Sequence, residues 1–134
     1  MIKIGIDVGS TTAKLVAVDE NDNLLFSKYE RHNAKAKETI LSFLKELLSE
    51  IGDKDISVRI TGSVGMGISE KCSLPFVQEV VAAAKAIQKD YSHVTSMIDI
   101  GGEDAKVVFF NDAEATDLRM NGNCAGGTGA FIDQ

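Results

Sequence analysis

The feature that most constrains this chain is a motif that occurs twice, once at its start and once near its end. Each copy consists of an apolar run, an aspartate, a turn of glycine and polar residues, a lysine and a second apolar run. The copies are centred on residues 3–14 and 98–106. Short apolar runs on either side of such a turn are typical of a β-hairpin. The chain is therefore predicted to fold around two similar hairpins.

The turn of the first copy offers the groups that phosphate and magnesium prefer. Phosphate oxygens need many short hydrogen bonds, which backbone N–H groups supply, and glycine lets the backbone approach closely. Asp7 suits Mg²⁺ or its water ligands, because hard cations take oxygen ligands. We therefore predict that Asp7 is a catalytic carboxylate that holds Mg²⁺ through water. The residues predicted to contact phosphate are Gly9, Ser10, Thr11, Thr12 and Lys14.

The turn of the second copy is predicted to clamp the same polyphosphate and its metal from the other side. Asp99 occupies the position of Asp7 and is predicted to have the same catalytic role, holding Mg²⁺ through water. Glu103 can orient an attacking water, and it can equally be a solvated turn carboxylate. Lys106 can touch phosphate or point to solvent, as can Lys14, which is the stronger candidate. The other residues predicted to bind the nucleotide here are Gly101, Gly102 and Asp104. Two ordinary hairpins with Asp and Gly in their turns are the alternative.

Length and charge exclude several classes of protein. The chain has 134 residues, 44% of them hydrophobic, enough for one domain with a real core. A net charge of -6 argues against a nucleic-acid surface, which needs a basic patch. No apolar run approaches the ~20 residues of a membrane span. Two cysteines fit a reducing cytoplasm, and Lys3 and Asp7 interrupt what would be a signal peptide, so a cytoplasmic protein is predicted.

Periodicity predicts a mixed α/β fold. Strands are expected at residues 2–8, 14–19, 24–31, 56–61 and 94–100, followed by a hairpin of 105–110 and 114–120. Helical spacing of apolar residues predicts a helix over 36–51, ended by Gly52, and a second helix over 76–91. Mixed antiparallel and parallel pairings indicate a mixed sheet covered by helices.

Three residues whose side chains could bind a metal or react are predicted to have no functional role. His32 and His93 lie at element boundaries without acidic or cysteine companions at ligand spacing, so both are predicted to lie on the surface. Cys72 is predicted to be structural or incidental, because free cysteines are usually buried small hydrophobes.

The last stretch is a glycine-rich loop that contains the second cysteine. It leads into residues 130–134, which resemble the opening turn of a helix. Because helix N-termini bind anions, this loop is predicted to contact a nucleotide phosphate through Gly126, Gly127 and Thr128, and a flexible loop without a ligand is the alternative. Cys124 is a candidate metal ligand, since a thiolate is favoured near helix N–H groups, but its partners must come from elsewhere. A helix that stops in its second turn predicts a fragment of a longer protein.

These motifs together resemble a known family over essentially the whole chain. Residues 7–14 and 99–104 resemble the paired phosphate loops of ATPases related to actin, sugar kinases and Hsp70. Residues 120–129, Met-Asn-Gly-Asn-Cys-Ala-Gly-Gly-Thr-Gly, resemble the cysteine loop of 2-hydroxyacyl-CoA dehydratase activators, in the BadF/BadG/BcrA/BcrD-type family. The resemblance implies an actin-like (ribonuclease H-like) fold, a mixed sheet with helices on both faces. Residues 1–93 would form its first half, and 94–134 the opening of a truncated second half.

The same resemblance implies an ATP-hydrolysing iron–sulfur activase. Proteins of that family are homodimers that share one 4Fe–4S cluster and use ATP and Mg²⁺. They pass a low-potential electron from an electron donor to a dehydratase or reductase that acts on an acyl-CoA. Cys124 matches the first of two cluster cysteines, and the second would lie beyond Gln134. The chain alone is therefore expected to bind nucleotide weakly and to hydrolyse little ATP.

Two other functions share the phosphate loops: a sugar-kinase-like phosphotransferase and a nucleotide-switched, actin-like regulatory module. Cys124 alone separates the activase from both. Glu103 stands where glutamine is common in the family, and Ala83 where some relatives have histidine. These departures resemble the very large multidomain activases and leave the electron acceptor open.

Overall fold

The structure, a computed structural model, describes residues 1–100, 105–110 and 116–120, with side chains for 1–100 and 106–110. The chain divides into two compact units, Met1–Gln78 and Glu79–Gln134. The prediction of two halves, 1–93 and 94–134, is a different division, since it describes the two related parts of an ATPase. The compact units do not test it, and it stays a prediction.

The first unit is built on a four-stranded mixed sheet. Its strands are β1 (Ile2–Val8), β2 (Thr12–Val18), β3 (Leu24–Arg31) and β4 (Ile56–Thr61). They lie in the order β3-β2-β1-β4, with β2 antiparallel to both neighbours and β4 parallel to β1. The predicted mixed sheet is confirmed, and only β2 has bounds that differ from the predicted 14–19.

One face of this sheet carries the core of the unit. Every second residue of β1 is buried there, and β2 adds a parallel row; together these are Ile2, Ile4, Ile6, Val8, Ala13, Leu15 and Ala17. Helix α1 (Ala36–Ile51) buries Ile40, Phe43 and Leu47 in the same cluster. Gly52 donates its N–H to the Leu48 carbonyl, and its positive φ of 72° then ends the helix as predicted.

A second helix of this unit, α2 (Gly65–Cys72), is missing from the sequence-based prediction. Gly65 and Gly67 argue against a helix in the sequence, because glycine is a poor helix former. The same small size is useful in the fold: Gly65 is buried close to the Ile60 side chain, so α2 covers the same sheet face as α1. Cys72, the last residue of α2, is exposed, so the interpretation of this cysteine as a buried hydrophobe is wrong.

The next helix, α3 (Glu79–Asp90), starts later than the predicted residue 76. Residues 75–77 run beside β4 instead: Ile60 donates its N–H to the Pro75 carbonyl at 3.0 Å, and Val77 donates to the Ile60 carbonyl at 2.8 Å. A helical turn here would leave these backbone groups at the edge of β4 without partners.

The second unit contains α3 and an antiparallel sheet of three strands. They are β5 (Ser96–Ile100), β6 (Ala105–Phe110) and β7 (Thr116–Met120), in the order β5-β6-β7. The predicted hairpin is confirmed, although β5 begins at Ser96 rather than at residue 94. His93 is exposed, as predicted. In the part of the chain that the structure describes, no helix combines the length and the apolar character that crossing a membrane requires.

Candidate phosphate-binding site

Four residues on neighbouring strands form a row across the sheet of the first unit. Asp7 lies beside Thr61 of β4 and Lys14 of β2, and Lys14 lies beside Tyr29 of β3. Paired residues share a face of a sheet, and this face is opposite the core, because the alternate residues of β1 are the buried ones. The row therefore brings a carboxylate, a hydroxyl and an ammonium group to the carboxyl end of β1.

Hydrogen bonds fix the backbone of the turn between β1 and β2 and leave some of its N–H groups available to a ligand. Gly9 donates its N–H to the Thr12 carbonyl at 3.0 Å, and the Thr11 carbonyl accepts from the His32 N–H at 3.0 Å. Among the described residues, the backbone N–H groups of Ser10 and Thr11 have no protein acceptor. Both side chains are exposed. The turn thus offers two N–H groups and two hydroxyls, a donor set that suits phosphate.

The space at Gly9 is open as far as the described residues are concerned. Among them, a Cβ atom at this position would meet only the Thr12 carbonyl oxygen, at 4.0 Å. Packing against the described part of the chain therefore does not require glycine here. The missing side chain instead leaves room for a group that approaches the turn from outside.

Gly62, in contrast, is required by packing. Its φ is 99°, and a Cβ atom would lie 2.2 Å from the Val8 carbonyl oxygen. The Val64 N–H donates to the same oxygen at 3.0 Å. The segment after β4 is therefore fixed against the last residue of β1, directly before the phosphate-binding turn.

Sequence reasoning missed two residues beside the turn. His32 is 5% exposed, so its predicted surface position is wrong, and its Nε2 lies 2.8 Å from the Gly9 carbonyl oxygen. The Thr61 Oγ1 atom is buried and has no hydrogen-bond partner in the described part of the chain. The feature that could have revealed both residues is their place at the ends of strands. The ends of β1, β3 and β4 and the start of β2 meet at one edge of this sheet.

Lys14 has a partner on the sheet itself. Its ammonium group lies 5.1 Å from the centroid of the Tyr29 ring, a cation–π contact on the exposed face. The predicted contact between Lys14 and phosphate stays a prediction.

The second copy of the motif has the same strand register as the first. Asp99 of β5 lies beside Lys106 of β6, as Asp7 lies beside Lys14. The other predicted site residues of this half lie outside the described residues: Gly101, Gly102, Glu103, Asp104, Cys124, Gly126, Gly127 and Thr128. The two hairpins share one arrangement of aspartate and lysine.

The first turn fits a magnesium-bound phosphate in the groups it offers. A half-buried carboxylate, N–H donors and a buried hydroxyl lie at one edge of the sheet, and neither the donors nor the hydroxyl has a hydrogen-bond partner among the described residues. Among the described residues, no group of three or more His, Cys, Asp or Glu side chains is placed to hold a metal ion. Mg²⁺ does not need one, because it keeps several waters and commonly binds through one or two carboxylates and the phosphates of a substrate.

Comparison with known proteins assigns the chain to a family. The model of the BadF/BadG/BcrA/BcrD ATPase family matches residues 4–134. The chain belongs to this family. The resemblance drawn from the motifs is therefore confirmed, and the matched range includes both hairpins and the cysteine loop.

Activators of dehydratases are similar to this family member over nearly its whole length. The (R)-2-hydroxyglutaryl-CoA dehydratase activating ATPase of Acidaminococcus fermentans is 28% identical over 132 residues, which are 97% of this chain and 50% of that protein. The crystal structure of component A of this dehydratase, from the same organism, has a TM-score of 0.79 at 26% identity and is matched over 99% of this chain and 52% of its own.

A second solved structure carries a nucleotide analogue. The activator of the 2-hydroxyisocaproyl-CoA dehydratase from Clostridium difficile, with bound ADPNP, has a TM-score of 0.79 at 28% identity, over 99% of this chain and 50% of that one. The chain therefore has the mixed α/β fold of the actin-like ATPase activators, as predicted. It spans about half the length of the curated relatives that it matches.

Proposed function

We propose that this family member supplies part of the ATP site of a 2-hydroxyacyl-CoA dehydratase activator. The observation that carries the proposal is the turn after β1. It follows Asp7 closely in the chain and offers two hydroxyls and two N–H groups that have no acceptor in the part of the chain that the structure describes. A solved activator of similar fold binds ADPNP, an analogue of ATP whose chain of three phosphoryl groups is what such a turn would recognise.

We propose a separate role for each chemical group of the first turn. The N–H groups and hydroxyls of Ser10 and Thr11 donate to phosphate oxygens, and Gly9 leaves space for them. Asp7 would hold Mg²⁺ through water, and the ion would supply positive charge that stabilises the phosphates. In the second hairpin Asp99 takes the role of Asp7. The further residues that we propose for phosphate, for water orientation and for the nucleotide are Thr12, Lys14, Gly101, Gly102, Glu103, Asp104, Gly126, Gly127 and Thr128.

Replacing Asp7 by asparagine tests the site. We expect ATP binding in the presence of Mg²⁺ to weaken roughly tenfold, about 1.4 kcal/mol, because a neutral amide is a poorer acceptor for metal-bound water. Binding of ATP without Mg²⁺ should change little. Amide NMR signals of Ser10 and Thr11, followed during titration with and without Mg²⁺, measure both affinities even when binding is weak.

Asp19→Asn is the matched control, because Asp19 lies in the turn between β2 and β3. Its Oδ1 accepts N–H bonds from Asn21 and Asn23, and the Asn23 N–H holds the pKa of this carboxyl below its usual value. An equal loss in both variants, or ATP-induced changes only outside residues 9–12, would contradict the proposed site. Because the chain spans about half the length of its relatives, we also expect its affinity for ATP to be weaker than micromolar. A micromolar dissociation constant would overturn that expectation.

The wider role that we propose is ATP-driven electron transfer to a dehydratase or reductase that acts on an acyl-CoA. Relatives named as activators of 2-hydroxyglutaryl-, 2-hydroxyisocaproyl- and lactoyl-CoA dehydratases support a partner of this class. A homodimer, a low-potential electron donor and a cytoplasmic location belong to the same proposal. Cys124 would supply one thiolate to a 4Fe–4S cluster, since such clusters are held by cysteine thiolates.

Iron content tests the role of Cys124. In the full-length activator, purified without oxygen, we expect roughly four irons and four acid-labile sulfides per dimer, as one 4Fe–4S cluster requires. Cys124→Ser should lose them, whereas Cys72→Ser should keep them because Cys72 is an exposed residue at the end of α2. A wild-type protein without iron, or a Cys124→Ser variant that retains it, would rule out this ligand.

A further inference from the structure

We infer that His32 is a positioning residue for the phosphate-binding turn, an inference that rests on the nucleotide site proposed above. His32 follows the last residue of β3, far from the turn in sequence. It holds the turn through two separate bonds, one from its backbone and one from its ring. Its ring is buried, with 5% of the residue exposed.

The two ring nitrogens have different partners, and together these partners define the tautomer. The Ala34 N–H lies 3.2 Å from Nδ1, and a backbone N–H can only donate. Nδ1 must therefore be the acceptor, so in the neutral ring Nε2 carries the hydrogen. Nε2 can then donate to the Gly9 carbonyl oxygen, 2.8 Å away. Each nitrogen thus has the one partner that its protonation allows.

The backbone around His32 adopts an unusual conformation to make this arrangement. Asn33 and Ala34 follow with φ of 49° and 63°, in the left-handed region that alanine rarely enters. The His32 carbonyl accepts the Lys35 N–H at 2.7 Å, just before α1 begins. The tight turn returns the Ala34 N–H to the imidazole, and such strain persists only where surrounding contacts determine it.

These contacts of His32 help to order the turn between β1 and β2. Three bonds fix its backbone: Gly9 N–H to Thr12, His32 N–H to Thr11, and His32 Nε2–H to Gly9. None of them uses the N–H groups of Ser10 and Thr11. A turn that is ordered before its ligand arrives loses less conformational entropy on binding, so its affinity is higher.

Two substitutions separate this role from simple stabilisation of the segment between β3 and α1. In His32→Asn, the side-chain carbonyl can still accept the Ala34 N–H, but the shorter amide cannot reach Gly9. In His32→Gln, the longer side chain can place an amide N–H near the former Nε2 position and restore the bond to Gly9. His93→Asn is the control for a histidine that is exposed.

The experiment has two readouts on the chain of residues 1–134, both at a temperature where every variant is folded. The first is amide hydrogen exchange of Gly9 without nucleotide, which reports the order of the turn. The second is the affinity for ATP with Mg²⁺, from the Ser10 and Thr11 amide signals. We expect His32→Asn to exchange faster at Gly9 and to bind roughly three- to tenfold more weakly, with His32→Gln and His93→Asn close to wild type.

The outcomes distinguish this inference from the proposed function. Unchanged exchange in His32→Asn, or faster exchange with unchanged affinity, would overturn the positioning role. Equal losses in His32→Asn and His32→Gln would overturn the assigned bond to Gly9. A wild-type chain that shows no ATP-induced change at the turn would count against the nucleotide site, while faster exchange in His32→Asn would still establish His32 as the anchor of the turn.

Discussion

Replacing Gly62 by alanine is expected to lower the free energy of unfolding by about 3 kcal/mol or more, the sum of overpacking and backbone strain. The new Cβ atom would lie 2.2 Å from the Val8 carbonyl oxygen and 2.6 Å from its carbonyl carbon. These are backbone atoms of a buried strand, and the same oxygen accepts the Val64 N–H, so they cannot move aside at low cost. Urea denaturation followed by circular dichroism measures the loss.

Gly67→Ala is the matched control. Gly67 lies in α2, and a Cβ atom there would meet no described atom within 4 Å. Alanine should therefore stabilise the helix by up to about 1 kcal/mol. If Gly62→Ala proved as stable as Gly67→Ala, the segment after β4 could not be packed against Val8 as the structure has it.

The two glycines also show where sequence reasoning stops. Both belong to one glycine-rich stretch, residues 62–67, and nothing local to that stretch distinguishes them. Their difference arises from a tertiary contact between the ends of β4 and β1, which are far apart in sequence. The helix that begins at Gly65 was missed for the same reason, since packing against Ile60 outweighs the poor helical propensity of glycine.

The strands and α1 could be predicted because each follows a local period. Alternation in β1 and helical spacing in α1 reflect burial on one face, which the sequence displays directly. The turn after Asp7 could be predicted because glycine and polar residues separate two apolar runs, whereas the role of Asp7 stays a prediction. His32 could not, because its role depends on β3 pairing with β2 so that its end meets the turn. Thr61 likewise lies beside Asp7 only through the parallel pairing of β1 and β4.

Replacing Phe43 by alanine is expected to cost about 3–5 kcal/mol in the free energy of unfolding. Phe43 is 1% exposed and is the largest fully buried side chain among the described residues. It lies on the face of α1 that packs into the cluster with β1 and β2. Truncation removes its apolar surface from the core and leaves a cavity that the surrounding strands can fill only in part. Thermal or urea unfolding of the variant beside wild type measures the cost.

Leu48→Ala on the same helix is the control, because Leu48 is 56% exposed and should lose less than 1 kcal/mol. The comparison also separates the core from the charged surface of α1. The Glu46 carboxylate lies 3.0 Å from Lys28 of β3 and raises the pKa of that ammonium group, yet both side chains are well exposed, and such pairs contribute little to stability. Similar losses for Phe43→Ala and Leu48→Ala would mean that α1 does not present Phe43 to the sheet. The helix would then fail to support the strands that hold Asp7 and its turn in place.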